Sequence, residues 1–282
     1  MIRKAGTHLL IAVAIFLTGQ LWSLQEVKAQ GNLIIMPRRV TFEGTKRTQE
    51  LNVANTGKDT AKYLISVLQY RMLENGNFEE IQQPDSGQYF ADKNFRFFPR
   101  SVVLAPNESQ TVKVQVINTS ELKAGEYRSH LYFRAVAKEK PEDKTAVRFA
   151  KTMTIHLVPT FGIAIPVIIR VGAAKAMVTI NKTEFDAGAD GIPKVNLSFT
   201  RSGNVSVYGD LLVNYISEQG KSTQVGIAKG FAIYTPNSSR LFTLNLIQNT
   251  AINYNKGKLQ VLYTTSSDKK PVIITESTIN LQ

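Results

Sequence analysis

The chain has no cysteine. That excludes disulfides, thiolate-ligated zinc and cysteine nucleophiles, so a fold of this length must be held by burial alone. Histidine is almost as scarce, with three in 282 residues. Beyond the N-terminal leader only His130 and His156 remain, each inside a strand-like pattern. No pair stands at metal-ligand spacing, and no HExxH, glycine-rich phosphate loop or GxSxG elbow occurs. The carboxylates Asp186, Asp190 and Asp210 read as turn or strand-end residues that cap or solvate. The sequence therefore predicts neither an enzyme nor a cofactor or metal site. A polysaccharide-cleaving enzyme would need paired carboxylates in a cleft, and no such pair is visible.

Long apolar runs are missing too. Residues 9–17 are apolar, follow Arg3 and Lys4, and lead to the small-residue end Val27-Lys28-Ala29. This order is that of a secretory signal peptide cleaved after Ala29, and the apolar stretch is too short to span a bilayer. The expectation is an exported chain of about 250 residues from Gln30 onward. The formal charge is +12 for the whole sequence. Losing Arg3, Lys4, Lys28 and Glu26 removes a net +2, which leaves +10 on the exported part. The basic residues are dispersed, and no nucleic-acid motif accompanies them. The Asn-x-Ser/Thr sequons at Asn107, Asn181, Asn196 and Asn237 matter only in a glycosylating host.

What the sequence does have is alternation. Leu51 and Val53 alternate with Asn52 and Ala54; Val112, Val114 and Val116 alternate with Lys113 and Gln115. Such period-two stretches separated by Gly, Asn and Pro turns read as short strands of an antiparallel sandwich. Residues 33–42 read as a first strand broken at Pro37, and 74–92 as a polar excursion. From Ala173 the pattern restarts with a second set of strands. The expected organisation is a signal peptide at 1–29, one β domain at 30–171 and another at 172–282.

Residues 151–171, KTMTIHLVPTFGIAIPVIIRV, stand apart. Met153, Ile155, Leu157, Phe161, Ile163 and Ile165 hold odd positions, so a strand places them on one face. Pro159 and Pro166 mark an edge strand or a bulge. A long apolar edge is an aggregation hazard unless something covers it. The same odd face could equally fill the protein's own core.

A family resemblance enters with Pro37-Arg38-Arg39-Val40-Thr41-Phe42-Glu43-Gly44, Asn55-Thr56-Gly57, Phe98-Pro99-Arg100-Ser101-Val102-Val103-Leu104-Ala105-Pro106 and Tyr127-Arg128-Ser129-His130-Leu131-Tyr132-Phe133. In order and spacing these resemble the periplasmic pilus chaperones, the PapD-like family, as a divergent branch. The resemblance implies an all-β fold of two immunoglobulin-like β-sandwich domains set in an L. It also implies a periplasmic location and capping of pilus or fimbrial subunits by donor-strand complementation, a known mode of peptide recognition by strand addition. Secreted subunits and an outer-membrane usher are the implied partners, and self-dimerisation through the exposed strand is open. The donor residues would be Met153, Ile155, Leu157, Phe161 and Ile163. The family holds the subunit's C-terminal carboxylate with two cations between the domains. Arg39 matches the first, while Pro166 stands where the second, a lysine, is expected. Arg128 replaces the family's acid before the Ser-Leu-aromatic motif, and Arg128 and Arg170 are assigned to the interdomain region. The rival reading is an exported structural or adhesive β-sandwich protein that binds surface glycans.

Overall fold

The computed structural model describes residues 33–136, 160–248, 252–266 and 270–281. The leader and the stretch 151–159, with Met153, Ile155, Leu157 and His156, lie outside the described residues. Eighteen strands account for nearly all regular structure among the described residues, with one 3-10 turn at Asp92–Asn94.

Two sheets face each other in the N-terminal half. One runs β1 (Leu33–Met36), β3 (Thr48–Asn55), β9 (Ser109–Val116), β7 (Phe95–Phe98). The other runs β2 (Val40–Phe42), β11 (Gly162–Val171), β10 (Gly125–Ala135), β4 (Ala61–Leu68), β8 (Ser101–Leu104). The period-two pattern decides which face is inside. Leu51, Val53, Val112 and Val114 from one sheet meet Ile65, Leu131, Phe133 and Val167 from the other. Burying each such side chain contributes about 1.5–3 kcal/mol. The Asn55-Thr56-Gly57 turn has its own anchor. The buried Asn55 amide donates to the Asp59 and Leu104 carbonyls at 2.8 and 3.0 Å, and its Oδ1 accepts from the Gly57 N–H.

The first strand is divided more thoroughly than a break at Pro37 suggests. β1 pairs with β3 in one sheet, and β2 pairs with β11 in the other. The chain thus changes sheets at Pro37–Arg39. The β2–β11 pairing is parallel, so the sandwich is not the purely antiparallel one expected. The excursion at 74–92 also contains order: β6 (Phe78–Glu80) lies within it and forms a two-stranded hairpin with β5 (Tyr70–Met72) just before it.

The C-terminal half builds two further sheets. They run β12 (Ala176–Asp186), β13 (Lys194–Gly203), β16 (Ser239–Asn245), and β15 (Ser222–Ile233), β14 (Val207–Ile216), β17 (Lys258–Thr265), β18 (Ile273–Asn280). Their core is aromatic at its centre, where Phe199, Phe231 and Tyr263 meet at centroid distances of 4.9–6.0 Å. Among the described residues no strand is shared between the two halves, which gives an all-β fold of two sandwiches. Asp210, expected at a strand end, lies inside β14 at a register shift, and its Oδ1 accepts from the Gly230 N–H and the Ser266 hydroxyl.

Candidate functional site

The segment singled out in the sequence is not an edge strand throughout. Over Val167, Ile168 and Ile169, β11 lies between β2 and β10. Over Gly162 to Pro166 it pairs with β10 alone, so its other backbone edge is open among the described residues. Pro166 is the last residue before the parallel pairing begins, a position where a missing N–H disturbs no central ladder. The odd face continues the core: Ile165, Val167 and Ile169 are buried in it and Ile163 packs against it. Ile163, a candidate donor residue, is thus part of the first sandwich's own interior in this arrangement. Phe161 is different. Its carbonyl accepts from the Ala135 N–H at 2.9 Å, in register with the ladder, yet its side chain is 52% exposed. The apolar row therefore runs past the end of the core and into solvent at Phe161.

The opposite face of the same strands looks toward the second sandwich. Val40 and Phe42 are core residues, so alternation turns Arg39 and Thr41 to this outer face. Pairing sets His130 opposite Pro166, Arg128 opposite Ile168 and Glu126 opposite Arg170. Ile168 is fully buried here against Met72, Ala232 and Tyr234.

Arg170 anchors one end of the cleft. Its Nε donates to Glu126 Oε2 at 3.0 Å, its Nη1 pairs with Glu43 at 2.5 Å, and its Nη2 donates to the Ser206 carbonyl at 2.8 Å. Glu126 Oε2 also accepts from the Ser206 N–H and hydroxyl, at 2.9 and 2.7 Å. The Glu126 side chain has no exposed surface, so this is a buried node tying β2, β10 and β11 to the start of β14.

Arg39 and Arg128 are differently placed. Arg39 is half-buried, with its guanidinium 4.0 Å from the Tyr208 ring centroid. Arg128 is 2% exposed and lies 4.1 Å from the Tyr234 centroid. Each cation comes from the first sandwich and each ring from the second. Arg39 Nη1 and Arg128 Nε and Nη1 are buried and have no hydrogen-bond partner among the described residues; Arg128 Nη2 makes a long 3.4 Å contact to the Tyr70 carbonyl. Burial holds the Arg128 guanidinium below its ordinary pKa; the charges of Tyr234 and Glu126 oppose that shift and Arg39 adds to it. Arginine still stays charged. Arg201 shows how the same residue is satisfied when its role is structural. It is 5% exposed, and its guanidinium donates to the carbonyls of Asn237, Gly203 and Val205 at 2.8–2.9 Å. An enclosed pair of cations with spare donors is suited to an anion with oxygen acceptors.

Next to Arg128, His130 is packed edge-on against Tyr70 and Phe78 at 5.0 and 6.0 Å. Burial first, and then the Arg128 charge, push its pKa down to about 3, so it stays neutral. Nothing places it as a ligand, and no group of three metal-ligating side chains occurs among the described residues.

Of the residues named from the sequence, the structure brings Arg39, Arg128 and Arg170 to one cleft and puts Phe161 and Ile163 at the open end of β11. Glu126, Glu43, Ser206, Tyr208 and Tyr234 were not singled out. Glu126 carried a signal, since alternation puts it on the Arg128 face. The residues of the second sandwich carried none, because only tertiary packing brings them to the cleft.

No family model matches the sequence, and no curated protein matches it. Among solved structures the chain is similar to one from the CsuC–CsuE chaperone–tip adhesion subunit pre-assembly complex of the archaic chaperone-usher Csu pili of Acinetobacter baumannii, at 14% identity over 86% of this chain and 97% of that one, TM-score 0.44. It is likewise similar to the Pseudomonas aeruginosa CupB2 chaperone (14% identity, 88% and 100% covered, TM-score 0.42) and to the E. coli chaperone DraB (15%, 89% and 97%, TM-score 0.40).

Proposed function

We propose that this chain is a periplasmic chaperone that binds and caps secreted pilus or fimbrial subunits and supports their assembly into fibres. The observation that carries the reading is the open half of β11. A ladder edge unpaired from Gly162 to Pro166 lies beside an apolar row that leaves its own core at Phe161. Such an edge offers main-chain hydrogen bonds to an incomplete β-sandwich, and Phe161 begins the row of apolar side chains available to it, the two parts that donor-strand complementation requires. The same odd positions continue through Leu157, Ile155 and Met153, outside the described residues. The capped subunit then supplies the favourable burial, and no nucleotide is needed.

Arg39 and Arg128 extend the reading to the cleft. A subunit's C-terminal carboxylate would accept from Arg39, the more exposed of the two, with Arg128 adding its charge from behind. The position expected to carry the second cation holds Pro166, which has no charge, and Arg128 on the neighbouring strand supplies one instead. A signal peptide in the leader and an outer-membrane usher as the next partner belong to the same proposal.

The test is capture of periplasmic proteins on the tagged mature chain, wild type against Phe161→Glu. Phe161 is exposed, so the variant is expected to fold with an unchanged melting temperature and to lose the small β-rich subunits that the wild type retains. Equal capture by both forms would remove the strand-addition reading.

A further inference from the structure

The β5–β6 hairpin leaves the first sandwich and reaches the second. Its turn is closed by Leu73 N–H to Asn77 carbonyl and Gly76 N–H to Leu73 carbonyl bonds, both 2.8 Å, and its base is fastened by Arg71 to Asp85 at 2.8 Å. The turn is where it touches the second sandwich. The Glu74 carbonyl accepts from the Leu241 N–H at 2.7 Å and from Arg240 Nη1 at 3.0 Å, and the Met72 carbonyl accepts from the Asn237 amide at 2.6 Å. Phe78 meets Tyr234 at 6.1 Å. Met72 is buried with Ala232 and Tyr234.

Gly76 is what allows the approach. The Arg240 guanidinium occupies the space where a Cβ on residue 76 would stand, and the backbone there has φ +86°, a conformation that side chains resist. Arg240 is itself buried and lies near the Phe231 and Phe242 rings at 5.2 and 5.7 Å, so it is held from behind as well. The hairpin thus carries backbone-specific contacts across the two halves, which general surface packing would not need.

We propose that the β5–β6 hairpin is a latch by which the first sandwich grips the second, with Gly76 against Arg240 as its key contact. The latch holds Tyr208 and Tyr234 over Arg39 and Arg128, and so sets the geometry of the cation cleft without touching anything bound there. Residues 74, 76, 237 and 240 are positioning residues in this sense. Only the consequence for subunit capture rests on the chaperone reading.

The chain has no cysteine, so a spin label can be placed at each of two introduced ones. Lys113→Cys lies on the outer face of β9, and Lys182→Cys on exposed β12. Pulsed electron-spin distance measurement on the mature chain is expected to give one narrow distribution. Gly76→Ala should widen it about twofold as the two halves begin to move about their junction. The control is Gly220→Ala, which has a similar φ of +81° but open space around its Cβ, and it should leave the width unchanged. An unchanged width for Gly76→Ala overturns the latch. If that variant does not fold, Asn237→Ala, which removes the bond to Met72, takes its place with the same expected widening, and an unchanged width again overturns the latch. A widened distribution with undiminished capture of subunits overturns the link from latch to cleft. The distance readout uses no client, so it stands apart from any failure of the chaperone reading.

Discussion

Replacing Arg128 by methionine should make the protein more stable and less able to capture its partner. Arg128 is 2% exposed and, among the described residues, makes no ion pair and leaves Nε and Nη1 unsatisfied. Each buried donor without a partner costs about 1–3 kcal/mol. The stacking of its guanidinium on Tyr234 at 4.1 Å returns up to about 2 kcal/mol. Burying the charge itself costs several kcal/mol more, offset in part by the neighbouring Glu126. Methionine keeps the length and apolar stem, fills the site between Ile168 and Tyr234, and removes both the charge and the orphan donors. The net expectation is a gain of about 1–3 kcal/mol. For a chain of about 250 residues that is a rise of roughly 2–12 °C in melting temperature. Calorimetry reads the stability, and partner capture on the tagged chain reads the function. A fall in melting temperature would refute the reasoning, because it would mean that Arg128 is stabilising as it stands. The contrast is Arg201→Met, which must lower stability because three carbonyl acceptors lose their donor.

Other expectations follow from the same cleft. Arg39→Ala should leave the melting temperature within about 2 °C of wild type and weaken subunit capture roughly tenfold or more, the loss of one charge-assisted hydrogen bond; undiminished capture would mean the carboxylate is held otherwise. Glu126→Leu removes the acceptor shared by Arg170 and Ser206 and should cost about 3–5 kcal/mol in denaturant titration, as breaking a buried pair does; a loss below about 1 kcal/mol would show that the node is dispensable. His130 has a folded pKa of about 3, below its unfolded 6.5, so the unfolded chain takes up a proton that the folded one refuses. Its contribution to stability is complete above pH 6.5 and is lost progressively as pH falls toward 3, which amounts to about 2 kcal/mol between pH 7 and 5. His130→Phe, which keeps a ring against Tyr70 and Phe78, should flatten that part of the profile, and an unchanged slope would assign it to other groups.

Alternation along single strands was legible from the sequence, because a strand's inner and outer faces are set by its own period of two. Leu51 and Val53, Val112 to Val116, and Ile163 to Ile169 face inward as their spacing requires. The turn at Asn55 was legible for the same local reason, whereas the β5–β6 hairpin was not. The missing cysteine likewise excluded disulfides and thiolate ligands from the sequence alone. What the pattern could not show was which strand lies beside which. The parallel seat of β11 and the open half of its edge depend on the pairing of β11 with β2, between residues more than a hundred positions apart, and that pairing is what takes β2 out of the sheet that holds β1. The cleft is the clearest case. Arg39, Arg128 and Arg170 are three dispersed basic residues in the sequence. Only packing decides that Arg170 is fully paired, by Glu43 and Glu126 of its own sandwich and Ser206 of the second, while Arg39 and Arg128 meet Tyr208 and Tyr234 and keep donors to spare. A side chain's partner is a property of the packed chain, and local periodicity holds no record of it.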